Sequence, residues 1–577
     1  MPIELRRLFA TLLHYCRPSD PKKIFKTFYE KLSEDFNKVQ EHLRLSEHDI
    51  LARVLQGING TLESLGRNKN EFHLVPFKYV ASESERYTRE IMTKKNIPVP
   101  EQDLYAINFL NDEQKNAFDA IFNNAMSGKG GVYFVDGPGG TGKRFLYKVL
   151  LAHIRSKGFI ALIVASSGIA SSGFLGGRTA HSRFKIPIDG GPKMKCQISF
   201  QSSAADLIRT SKIIIWDEAP MTDKYVIHAL NSLLQDLCEN HQPYGGKLVV
   251  FCGDFRQVLP VVRGGSRAEQ VEASIVTSPL WEYFIKLKLR INMRARSNPG
   301  FVDFLMRIGN GEEPMNSRNE IQIPKPMLIQ HTIIEESIEE LIKYVYPNMD
   351  LFEKNPFEMI QRVILFPKNE FVDDINSKLI DRIPGEEQVY ISDARAKSVI
   401  DQDEYVDYLN SLEPRGLPQY RLLLKKNSPM ILLRNINPVE GLCNGTILIC
   451  KQLTPNVVGA IIAIGQYKGK HVWIPRIPLE PNPSDNKYLI PFVRRQLSLR
   501  LCFAITINKS QGQTLDCVGI YLRRLVFTHG QLYVALSRAK NGNKVKLLII
   551  PPTYNDPKTE YTTNIVYNEI LVKASCT

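Results

Sequence analysis

The chain has 577 residues, which is more than a single hydrophobic core normally supports, so several domains are expected. Hydrophobic residues make up 43% and charged residues 23%, and no apolar stretch approaches the roughly 18 residues that span a bilayer, so we expect a globular chain with no membrane partner. Lys and Arg number 74 against 60 Asp and Glu, and this formal net charge of +14 favours a polyanionic partner.

The nine cysteines give no sign of a disulfide framework or a zinc site, since none forms a CxxC pair and the count is odd. Several lie in apolar runs such as LVVFC, which is typical of reduced thiols in the core of an intracellular protein. The amino terminus has no convincing cleavage site, so a secretory signal is not expected.

Residues 1–100 predict a helical segment, because apolar residues recur at helical spacing in LRRLFATLLHYC and IFKTFYEKLSEDFNKV. No chemistry is evident there, and a docking or linker role is the default interpretation. Residues 101–290 contain the short β-branched runs GVYFVDG, ALIVASS, KIIIWDE and KLVVFCGD, separated by helical stretches. This alternation predicts a buried parallel sheet of the α/β class.

A second α/β unit is predicted over residues 291–427 and 491–577, from the strands RVILFP, AITIN, DCVGIYL and KVKLLIIPP. Residues 428–490 have a different pattern, with the short strands PMILLRNI, GTILICKQL, GAIIAIGQY and KHVWIPRI punctuated by Gly, Pro and Asn. Closely spaced strands with turn residues predict a small antiparallel β-barrel inserted into the second unit.

A glycine-rich loop joins the predicted strand GVYFVD to the helical segment FLYKVLLAHI. The loop consists of Gly137, Pro138, Gly139, Gly140, Thr141, Gly142 and Lys143, with Arg144 directly after it. Glycines let backbone N–H groups curl around phosphates, the helix start adds its dipole, and lysine reaches the β and γ phosphates. A flexible turn is the alternative, but the order of strand, loop and helix favours an ATP site.

Arg144 departs from the phosphate-loop pattern, in which Ser or Thr at this position binds Mg²⁺ through its hydroxyl. Arginine is permanently cationic and has no acceptor atom, so it cannot ligate a metal. We expect nucleotide binding to survive this change and efficient hydrolysis to be impaired.

Two further polar motifs follow predicted strands downstream of the loop. Asp217 and Glu218 follow KIIIW, and Gln257 lies in GDFRQ after KLVVFC. Ligands bind α/β sheets at the carboxyl ends of the strands. We therefore predict that Asp217 holds Mg²⁺, Glu218 activates the attacking water, and Gln257 contacts the γ-phosphate and that water. An isolated Asp-Glu pair is usually a solvated turn, but the phosphate loop upstream favours the functional interpretation.

These motifs, in this order, resemble those of the Pif-family (petite integration frequency) helicases of superfamily one. The resemblance covers most of the chain, and it includes the segment LNDEQ, where it implies that Gln114 recognises adenine, and LNSLLQDLCENHQPYGGK, which resembles the family signature. It also implies that Arg294 in NMR and Arg538 in QLYVALSRAK reach the γ-phosphate from the second α/β unit. The implied fold is α/β, with two RecA-like P-loop motor domains, a small inserted β-barrel and a helical N-terminal segment.

Three other segments resemble the DNA-contacting motifs of this family, namely ASSGIA, RTAHS and TINKSQGQT. The DNA-binding residues that the resemblance implies are Ser166, Ser167, His181, Lys509, Ser510 and Gln511. Small hydroxyl residues and helix starts suit contacts with sugar and phosphate that do not read the bases. His181 has an alternative interpretation as a helix-capping or packed histidine.

The segments LLRNINPVEGLCNGT, EYVDYLNSL and NIVYNEIL resemble the helicase end of Helitron transposon proteins. Those proteins also carry a nuclease with a His-x-His metal motif, whereas no two of the 11 histidines here are two positions apart. We therefore interpret the chain as a helicase-only piece, or as a copy that has lost its nuclease.

The leading hypothesis is an ATP-dependent helicase that uses Mg²⁺, moves 5′ to 3′ on single-stranded DNA and unwinds duplex junctions. The resemblance further implies a monomer that works in the nucleus in DNA repair, recombination or telomere maintenance. One alternative is a transposon-derived DNA-binding relic in which Arg144 impairs hydrolysis. A P-loop ATPase acting on protein partners is another, but it would not explain the order of the DNA motifs. Stimulation of ATP hydrolysis by single-stranded DNA distinguishes these hypotheses.

Overall fold

The computed structural model describes most of the chain, which folds into two compact units. The described residues are 2–38, 45–65, 67, 69–75, 91–92, 94–187, 190–262, 264–293, 298–330, 333–397, 405–414, 416–481, 490–550 and 560–575. The parallel-sheet unit consists of Ser82–Asn348, Gln361–Ile375 and Phe503–Thr577. The antiparallel-sheet unit consists of Met1–Ala81, Met349–Ile360 and Asn376–Cys502.

Four of the six strands in the first sheet of the parallel-sheet unit are apolar runs that the sequence predicts, whereas the strands Arg178–Thr179 and Phe284–Lys288 are not predicted. With strands numbered along the chain, the sheet contains β1 Gly131–Asp136, β2 Ala161–Ala165, β3 Arg178–Thr179, β4 Ile213–Asp217, β5 Leu248–Gly253 and β6 Phe284–Lys288. All pairs are parallel, in the order β3-β2-β4-β5-β1-β6. Trp216 and Phe251 lie in the core on one face, and Val135 and Val250 in the core on the other. Burial of both faces explains why the four interior strands, β2, β4, β5 and β1, are almost continuously apolar.

Helices connect the strands of this sheet. They are Glu101–Tyr105, Asp112–Ser127, Lys143–Ser156, Gly168–Ser172, Ala180–Phe184, Ser203–Thr210, Lys224–Cys238 and Arg267–Glu272. The second of them begins at a capping box, in which Asn111 Oδ1 accepts the N–H of Gln114 and the Gln114 side chain accepts the N–H of Asn111. The third begins directly at the end of the glycine-rich loop, so the loop opens onto a helix N-terminus.

The second sheet of this unit has five parallel strands. They are β8 Leu328–Ile329, β9 Arg362–Phe366, β19 Ala504–Thr506, β20 Cys517–Leu522 and β21 Val545–Ile549. Their order is β19-β9-β20-β21-β8. The accompanying helices are Pro299–Asn310, Ile334–Val345 and Gln531–Leu536, and β7 Glu320–Gln322 pairs with β22 Tyr561–Thr563. The helix Asn568–Ser575 packs in the core of the first sheet. Two parallel sheets within one unit therefore carry the predicted nucleotide motifs.

The antiparallel-sheet unit contains a seven-stranded antiparallel sheet and a separate two-stranded one. Its strands are β10 Glu387–Ile391, β11 Asp393–Ala396, β12 Arg421–Lys425, β13 Pro429–Leu432, β14 Ile447–Leu453, β15 Val457–Ile462, β16 His471–Leu479, β17 Phe492–Leu497 and β18 Leu499–Leu501. The larger sheet has the order β11-β17-β16-β15-β14-β13-β18, and β10 pairs with β12. The helices Met349–Lys354, Pro356–Met359 and Val406–Ser411 lie in this unit, as does Val372–Asp381 from Asn376 onward.

The antiparallel sheet extends beyond the predicted insertion of residues 428–490 at both ends, because β11, β17 and β18 lie outside that range. The chain from Asn376 onward also falls in this unit, whereas residues 291–427 are predicted to belong to the second α/β unit. The strand β17 has the sequence FVRRQL, and its Arg494 is fully buried, where it donates to the carbonyls of Leu409 and Leu412 at 2.9 and 2.8 Å. Because Arg494 interrupts the apolar pattern, the sequence of β17 does not indicate a buried strand.

The N-terminal segment forms the helices Pro2–Cys16, Pro21–Asn37 and Glu47–Ser64, in agreement with its helical periodicity. Arg6 is buried between the first two helices and donates to both carboxylate oxygens of Asp35, at 2.7 and 2.6 Å. Tyr15 Oη donates to the carbonyl of Asn435 at 2.5 Å, and Arg7 forms an ion pair with Glu440. These contacts dock the helices against the antiparallel sheet within one unit.

No helix among the described residues is long and apolar enough to cross a membrane. The eight cysteines in the described ranges form no disulfide bond, and five of them are buried.

Candidate nucleotide and nucleic-acid site

The glycine-rich phosphate loop has the backbone geometry that its glycines require. Gly140 and Gly142 have φ angles of +99° and +79°, values that residues with a side chain rarely adopt. A Cβ atom added to Gly137 would lie 2.6 Å from Thr141 Oγ1, and one added to Gly142 would lie 2.4 Å from Gln114 Nε2. The loop therefore needs glycine both where the chain turns and where neighbours approach closely.

Gln114 is buried against this loop. Its Nε2 donates to the carbonyl of Thr141 at 2.8 Å, and its Oε1 accepts the N–H of Asn111 at 3.1 Å. These two bonds fix the loop to the start of the helix Asp112–Ser127. The structure thus gives Gln114 a role in positioning the loop, and its contact with adenine stays a prediction.

Lys143 is the first residue of the helix that follows the loop. Its Nζ donates to the carbonyl oxygen of Gly137 and, at 3.2 Å, to that of Pro138. The first turn of this helix has no acidic residue. A polyphosphate at the loop would therefore meet the lysine, the helix dipole and no opposing carboxylate on that turn.

Arg144 reaches across to the carboxylate predicted to bind metal. Arg144 Nε lies 3.4 Å from Asp217 Oδ2, and Asp217 Oδ1 accepts the N–H of Glu218 at 3.0 Å. Asp217 is 1% exposed at the end of β4. The Arg144 Nη2 atom is also buried and has no hydrogen-bond partner among the described residues.

The residues around Asp217 do not fit the predicted Mg²⁺ site. Mg²⁺ at a nucleotide site is usually held by one or two protein ligands together with phosphates and waters, and the hydroxyl ligand expected directly after Lys143 is missing because Arg144 stands there. The guanidinium of Arg144 instead brings positive charge and N–H donors to the Asp217 carboxylate. The guanidinium of Arg144 thus makes the contact with the Asp217 carboxylate that a metal ion would need.

Glu218 follows Asp217 in a left-handed backbone conformation, with φ +55°, which is uncommon for a residue with a side chain. Burial raises the pKa of its carboxyl group, and the neighbouring Asp217 carboxylate raises it further, while Lys143, Arg144 and Arg538 lower it. A carboxylate with a raised pKa is a stronger base at neutral pH. This environment agrees with the predicted role of Glu218 in activating water.

Tyr533 links the phosphate loop to the end of β5. The tyrosine lies on the helix Gln531–Leu536, which accompanies the second sheet. Its Oη accepts the N–H of Gly139 at 3.2 Å and donates to Asp254 Oδ2 at 3.0 Å. The two sheets of the parallel-sheet unit therefore meet at the phosphate loop.

Gln257 connects the nucleotide motifs to the predicted DNA segment TINKSQGQT. Its Nε2 donates to Asp254 Oδ2 at 3.4 Å, and its Oε1 accepts from Gln511 Nε2 at 3.5 Å. Both are long, weak hydrogen bonds, but Gln257, Asp254 and Gln511 are all buried. These buried side chains therefore form a continuous contact between the nucleotide motifs and the predicted DNA segment.

Arg538 donates hydrogen bonds to the same segment, TINKSQGQT. Its Nη1 donates to the carbonyls of Ser510 at 3.3 Å and Gln513 at 3.0 Å, and its Nε donates to the carbonyl of Val534 at 2.9 Å. Its charge lowers the pKa of Glu218, so the guanidinium lies within electrostatic reach of that carboxyl. Contact of Arg538 with the γ-phosphate stays a prediction, and Arg294 lies outside the described residues.

The hydroxyl groups predicted to contact DNA have partners within the protein. Ser166 Oγ donates to the carbonyl of Glu218 at 2.7 Å and accepts Trp216 Nε1–H at 3.0 Å, so it supports the turn at Glu218. Ser167 Oγ caps the helix Gly168–Ser172, and Ser510 Oγ donates to the carbonyl of Ile507.

The other DNA predictions fall on His181 and Lys509, both partly exposed, and on the buried Gln511. Burial lowers the pKa of His181, which therefore favours the neutral imidazole. The DNA contacts of all these residues stay predictions.

A basic-aromatic rim, which motif matching alone does not find, follows the carboxyl ends of β9 and β20. It consists of Lys368, Phe371, Arg523, Arg524 and Phe527. Lys368 Nζ lies 5.3 Å from the centre of the exposed Phe527 ring, and the Arg523 guanidinium lies 4.5 Å from that of Phe371. The signal for the rim is positional, because each member comes within a few residues of a parallel strand's carboxyl end.

Gln531 joins this rim to the TINKSQGQT segment. Its Nε2 donates to the carbonyl of Pro367 at 3.2 Å and to Asn508 Oδ1 at 3.3 Å, while its Oε1 accepts the N–H of Phe527 at 3.1 Å. Gln531 is fully buried. The Gln531 side chain thus connects three segments, at Pro367, Asn508 and Phe527, at this edge of the second sheet.

Two family models match the sequence. The model described as PIF1-like helicase matches residues 109–319, a range that includes the phosphate loop, Asp217, Glu218 and Gln257. The model described as DNA helicase Pif1, 2B domain, matches residues 407–453, which lie in the antiparallel-sheet unit.

Curated relatives have names of the same kind. ATP-dependent DNA helicase PIF1 of Danio rerio is 26% identical over 440 residues, covering 75% of this chain and 60% of that protein. Its Homo sapiens counterpart is 24% identical over 456 residues, covering 77% and 61%. ATP-dependent DNA helicase Pif1 of Bdellovibrio bacteriovorus is 26% identical over 447 residues, covering 76% and 88%. The chain spans about 60% of the length of the vertebrate relatives it matches.

Solved structures share the fold. Bacteroides Pif1 bound to single-stranded DNA is 21% identical and has a TM-score of 0.57. The match covers 80% of this chain and 95% of that chain. Pif1 helicase from Candida albicans is 22% identical and has a TM-score of 0.52, and the match covers 80% of this chain and 98% of that chain. These likenesses confirm the predicted α/β class with two RecA-like domains. The chain is similar to Pif1 helicases over about three quarters of its length, and its residues 109–319 match the PIF1-like helicase family model.

Proposed function

We propose that this chain is an ATP-driven DNA helicase that moves 5′ to 3′ along single-stranded DNA and unwinds duplex junctions. The observation that carries the proposal is the buried contact between Gln257 and Gln511, which joins the nucleotide motifs to the segment predicted to contact DNA. The relatives named ATP-dependent DNA helicase and the Bacteroides Pif1 structure with single-stranded DNA support it.

In this proposal the phosphate loop and Lys143 hold the β and γ phosphates. Glu218 takes a proton from the attacking water as the water oxygen bonds to the γ-phosphorus and the bond from that phosphorus to the β–γ bridging oxygen breaks, so that ADP leaves. Arg538 neutralises charge that develops on the phosphate. Arg538 must exchange a carbonyl partner for the phosphate to do so. Mg²⁺ with Asp217 as its ligand belongs to the proposal on the condition that Arg144 releases Asp217.

The test is ATP hydrolysis with and without single-stranded DNA, combined with strand displacement on substrates with a 5′ or a 3′ tail. A 5′ to 3′ helicase shows strong stimulation by DNA and displaces strands only from 5′-tailed substrates. DNA binding without stimulated hydrolysis supports the relic, an alternative favoured by the contact between Arg144 and Asp217. Basal hydrolysis that ignores DNA supports an ATPase acting on protein partners.

Binding to single-stranded DNA should be electrostatic and largely independent of base sequence. With about four phosphates neutralised, the logarithm of affinity should fall with the logarithm of salt concentration at a slope near −3. Fluorescence anisotropy with labelled oligonucleotides over a salt series measures this slope. A flat salt response, or a strong preference for one base sequence, would contradict the non-specific mode.

The exposed Phe527 ring should provide a stacking surface for a DNA base. Stacking on an aromatic side chain contributes about 1–3 kcal/mol per base, so Phe527→Ala should weaken binding to single-stranded DNA by roughly 5- to 150-fold. The same anisotropy assay measures the loss.

Phe159→Ala is a matched control for Phe527→Ala. Phe159 is 40% exposed against 48% for Phe527, and Lys212 Nζ lies 5.0 Å from its ring centre. Phe159 and Lys212 precede β2 and β4, so they lie at the sheet edge opposite the phosphate loop. Equal losses in the two variants would rule out a specific platform at Phe527.

We also propose, from the resemblance, that the protein acts as a monomer in the nucleus, in DNA repair, recombination or telomere maintenance. Its derivation from a Helitron-type element rests on the segments LLRNINPVEGLCNGT, EYVDYLNSL and NIVYNEIL. Imaging of the tagged chain tests the location, and sedimentation of the purified protein with and without a forked substrate tests the monomer.

A further inference from the structure

Arg144 is built into its surroundings. Its guanidinium lies beside the Asp217 carboxylate and 6.0 Å from the centre of the Phe174 ring. A Cβ atom added to Gly512, which has a φ of +79°, would lie 2.9 Å from Arg144 Nη2 and 3.4 Å from Ala170 Cβ. The absence of a side chain at Gly512 therefore leaves room for Arg144. Gly512 lies in the TINKSQGQT segment, which is predicted to contact DNA.

The guanidinium of Arg144 has unused hydrogen-bonding capacity between Asp217 and Gly512. The Nη2 atom is buried without a partner among the described residues, and leaving a buried donor unsatisfied is costly. Guanidinium groups bind phosphate oxygens strongly because they present several N–H donors in one plane. Arg144 is the second residue of the helix onto which the loop opens, and its Nε lies beside Asp217, the carboxylate predicted to hold the metal of the nucleotide site.

A divalent cation and this arginine compete for the same carboxylate. Asp217 is buried at the end of its strand and already accepts N–H donors from Glu218 and Arg144. Metal binding there would require the loss of the Arg144 contact and would bring a dication close to two basic side chains, Lys143 and Arg144. The cation that normally accompanies ATP is therefore disfavoured at this position by charge as well as by ligand type.

We propose that Arg144 replaces the divalent cation in nucleotide binding, so that the chain binds ATP and ADP with an affinity that does not depend on Mg²⁺. In this arrangement Asp217 holds the arginine in place, and the arginine provides positive charge to the phosphates. The inference rests on the proposed nucleotide site, but it does not depend on whether the protein unwinds DNA.

The experiment is titration of a fluorescent ATP analogue into the full chain, once with excess Mg²⁺ and once with excess EDTA. The wild type should bind with affinities that agree within about threefold in the two conditions. Arg144→Thr restores a hydroxyl and removes the competing charge, so it should bind about 10- to 100-fold more tightly with Mg²⁺ than with EDTA, by analogy with the cost of losing partners that support a metal site. Arg144→Gln, which supplies neither the charge nor the hydroxyl, should bind at least tenfold more weakly than wild type in EDTA.

Lys148→Thr is the matched control. Lys148 is exposed on the same helix, and this substitution also removes one positive charge and adds a hydroxyl. The control should behave as wild type in both conditions. If wild type loses tenfold or more of its affinity in EDTA, or if Arg144→Gln binds as tightly as wild type there, the proposal is wrong.

Hydrolysis separates this inference from the proposed function. Where the rest of the site is intact, Arg144→Thr should increase ATP hydrolysis stimulated by DNA by about 10- to 100-fold at the same Mg²⁺ concentration. Ordinary helicase rates in wild type with no gain in the variant would overturn the role given to Arg144. If neither protein hydrolyses ATP while the binding pattern holds, the inference stands and the helicase proposal fails. If no variant binds nucleotide, both fail.

Discussion

Lys143→Ala should lower the affinity for an ATP analogue by about 100-fold or more, because the ammonium group neutralises phosphate charge that backbone N–H groups cannot neutralise. Removing one partner of a buried, hydrogen-bonded charge pair costs roughly 3 kcal/mol, which corresponds to that factor. Lys143 Nζ also donates to the carbonyls of Gly137 and Pro138, so the variant loses two hydrogen bonds that hold the loop as well. Isothermal titration calorimetry measures the affinity directly.

Lys148→Ala serves as the control for this experiment, since Lys148 is exposed on the same helix and points to no phosphate-loop carbonyl among the described contacts. Its affinity should stay within about twofold of wild type, as is usual for surface substitutions. Circular dichroism of both variants checks that the helix is intact. Unchanged affinity in Lys143→Ala would mean that the glycine-rich loop is structural.

Glu218→Gln should lower ATP hydrolysis stimulated by DNA by about 10²- to 10⁴-fold and leave nucleotide binding nearly unchanged. A positioned general base contributes roughly this factor, and the amide cannot accept a proton. The two side chains have the same size, so the buried turn after β4 is retained. Steady-state hydrolysis and analogue binding, measured on the same preparation, separate the two effects.

The pH dependence provides an independent check on Glu218. Its pKa is raised above the ordinary value of 4.5, chiefly by burial and then by Asp217. The group acts as a base only when deprotonated, so hydrolysis by wild type should decrease as pH falls through this raised pKa. The acid limb of the rate profile should therefore lie at a higher pH than an exposed glutamate would produce.

Glu282→Gln is the matched control for both experiments, because Glu282 is exposed in the same unit. It should preserve the rate and the pH profile. A Glu218→Gln variant with more than a tenth of the wild-type rate would identify a different base. An acid limb at or below the ordinary glutamate pKa would contradict the effect of burial on this carboxyl.

The sequence was sufficient to predict the elements that depend on local pattern. Continuous apolar runs predicted all the parallel strands except β3, β6 and β8, and glycines between a strand and a helix predicted the phosphate loop, because these signals arise from neighbours along the chain. The limits of the antiparallel sheet were not predicted correctly, since Arg494 is buried in β17 by bonds to carbonyls more than 80 residues away. A local search cannot recognise a charge that is satisfied by distant partners.

The candidate nucleotide residues were predicted from sequence alone, and so was the departure at Arg144. Only the tertiary structure decided what these residues contact: Arg144 lies on Asp217, Ser166 supports the turn at Glu218, and Tyr533 joins the phosphate loop to Asp254. The physical reason is the separation along the chain of the groups that determine each property. Backbone conformation and helix starts are determined within a few residues, whereas a side chain's hydrogen-bond partner and pKa depend on groups that only folding brings within a few ångströms.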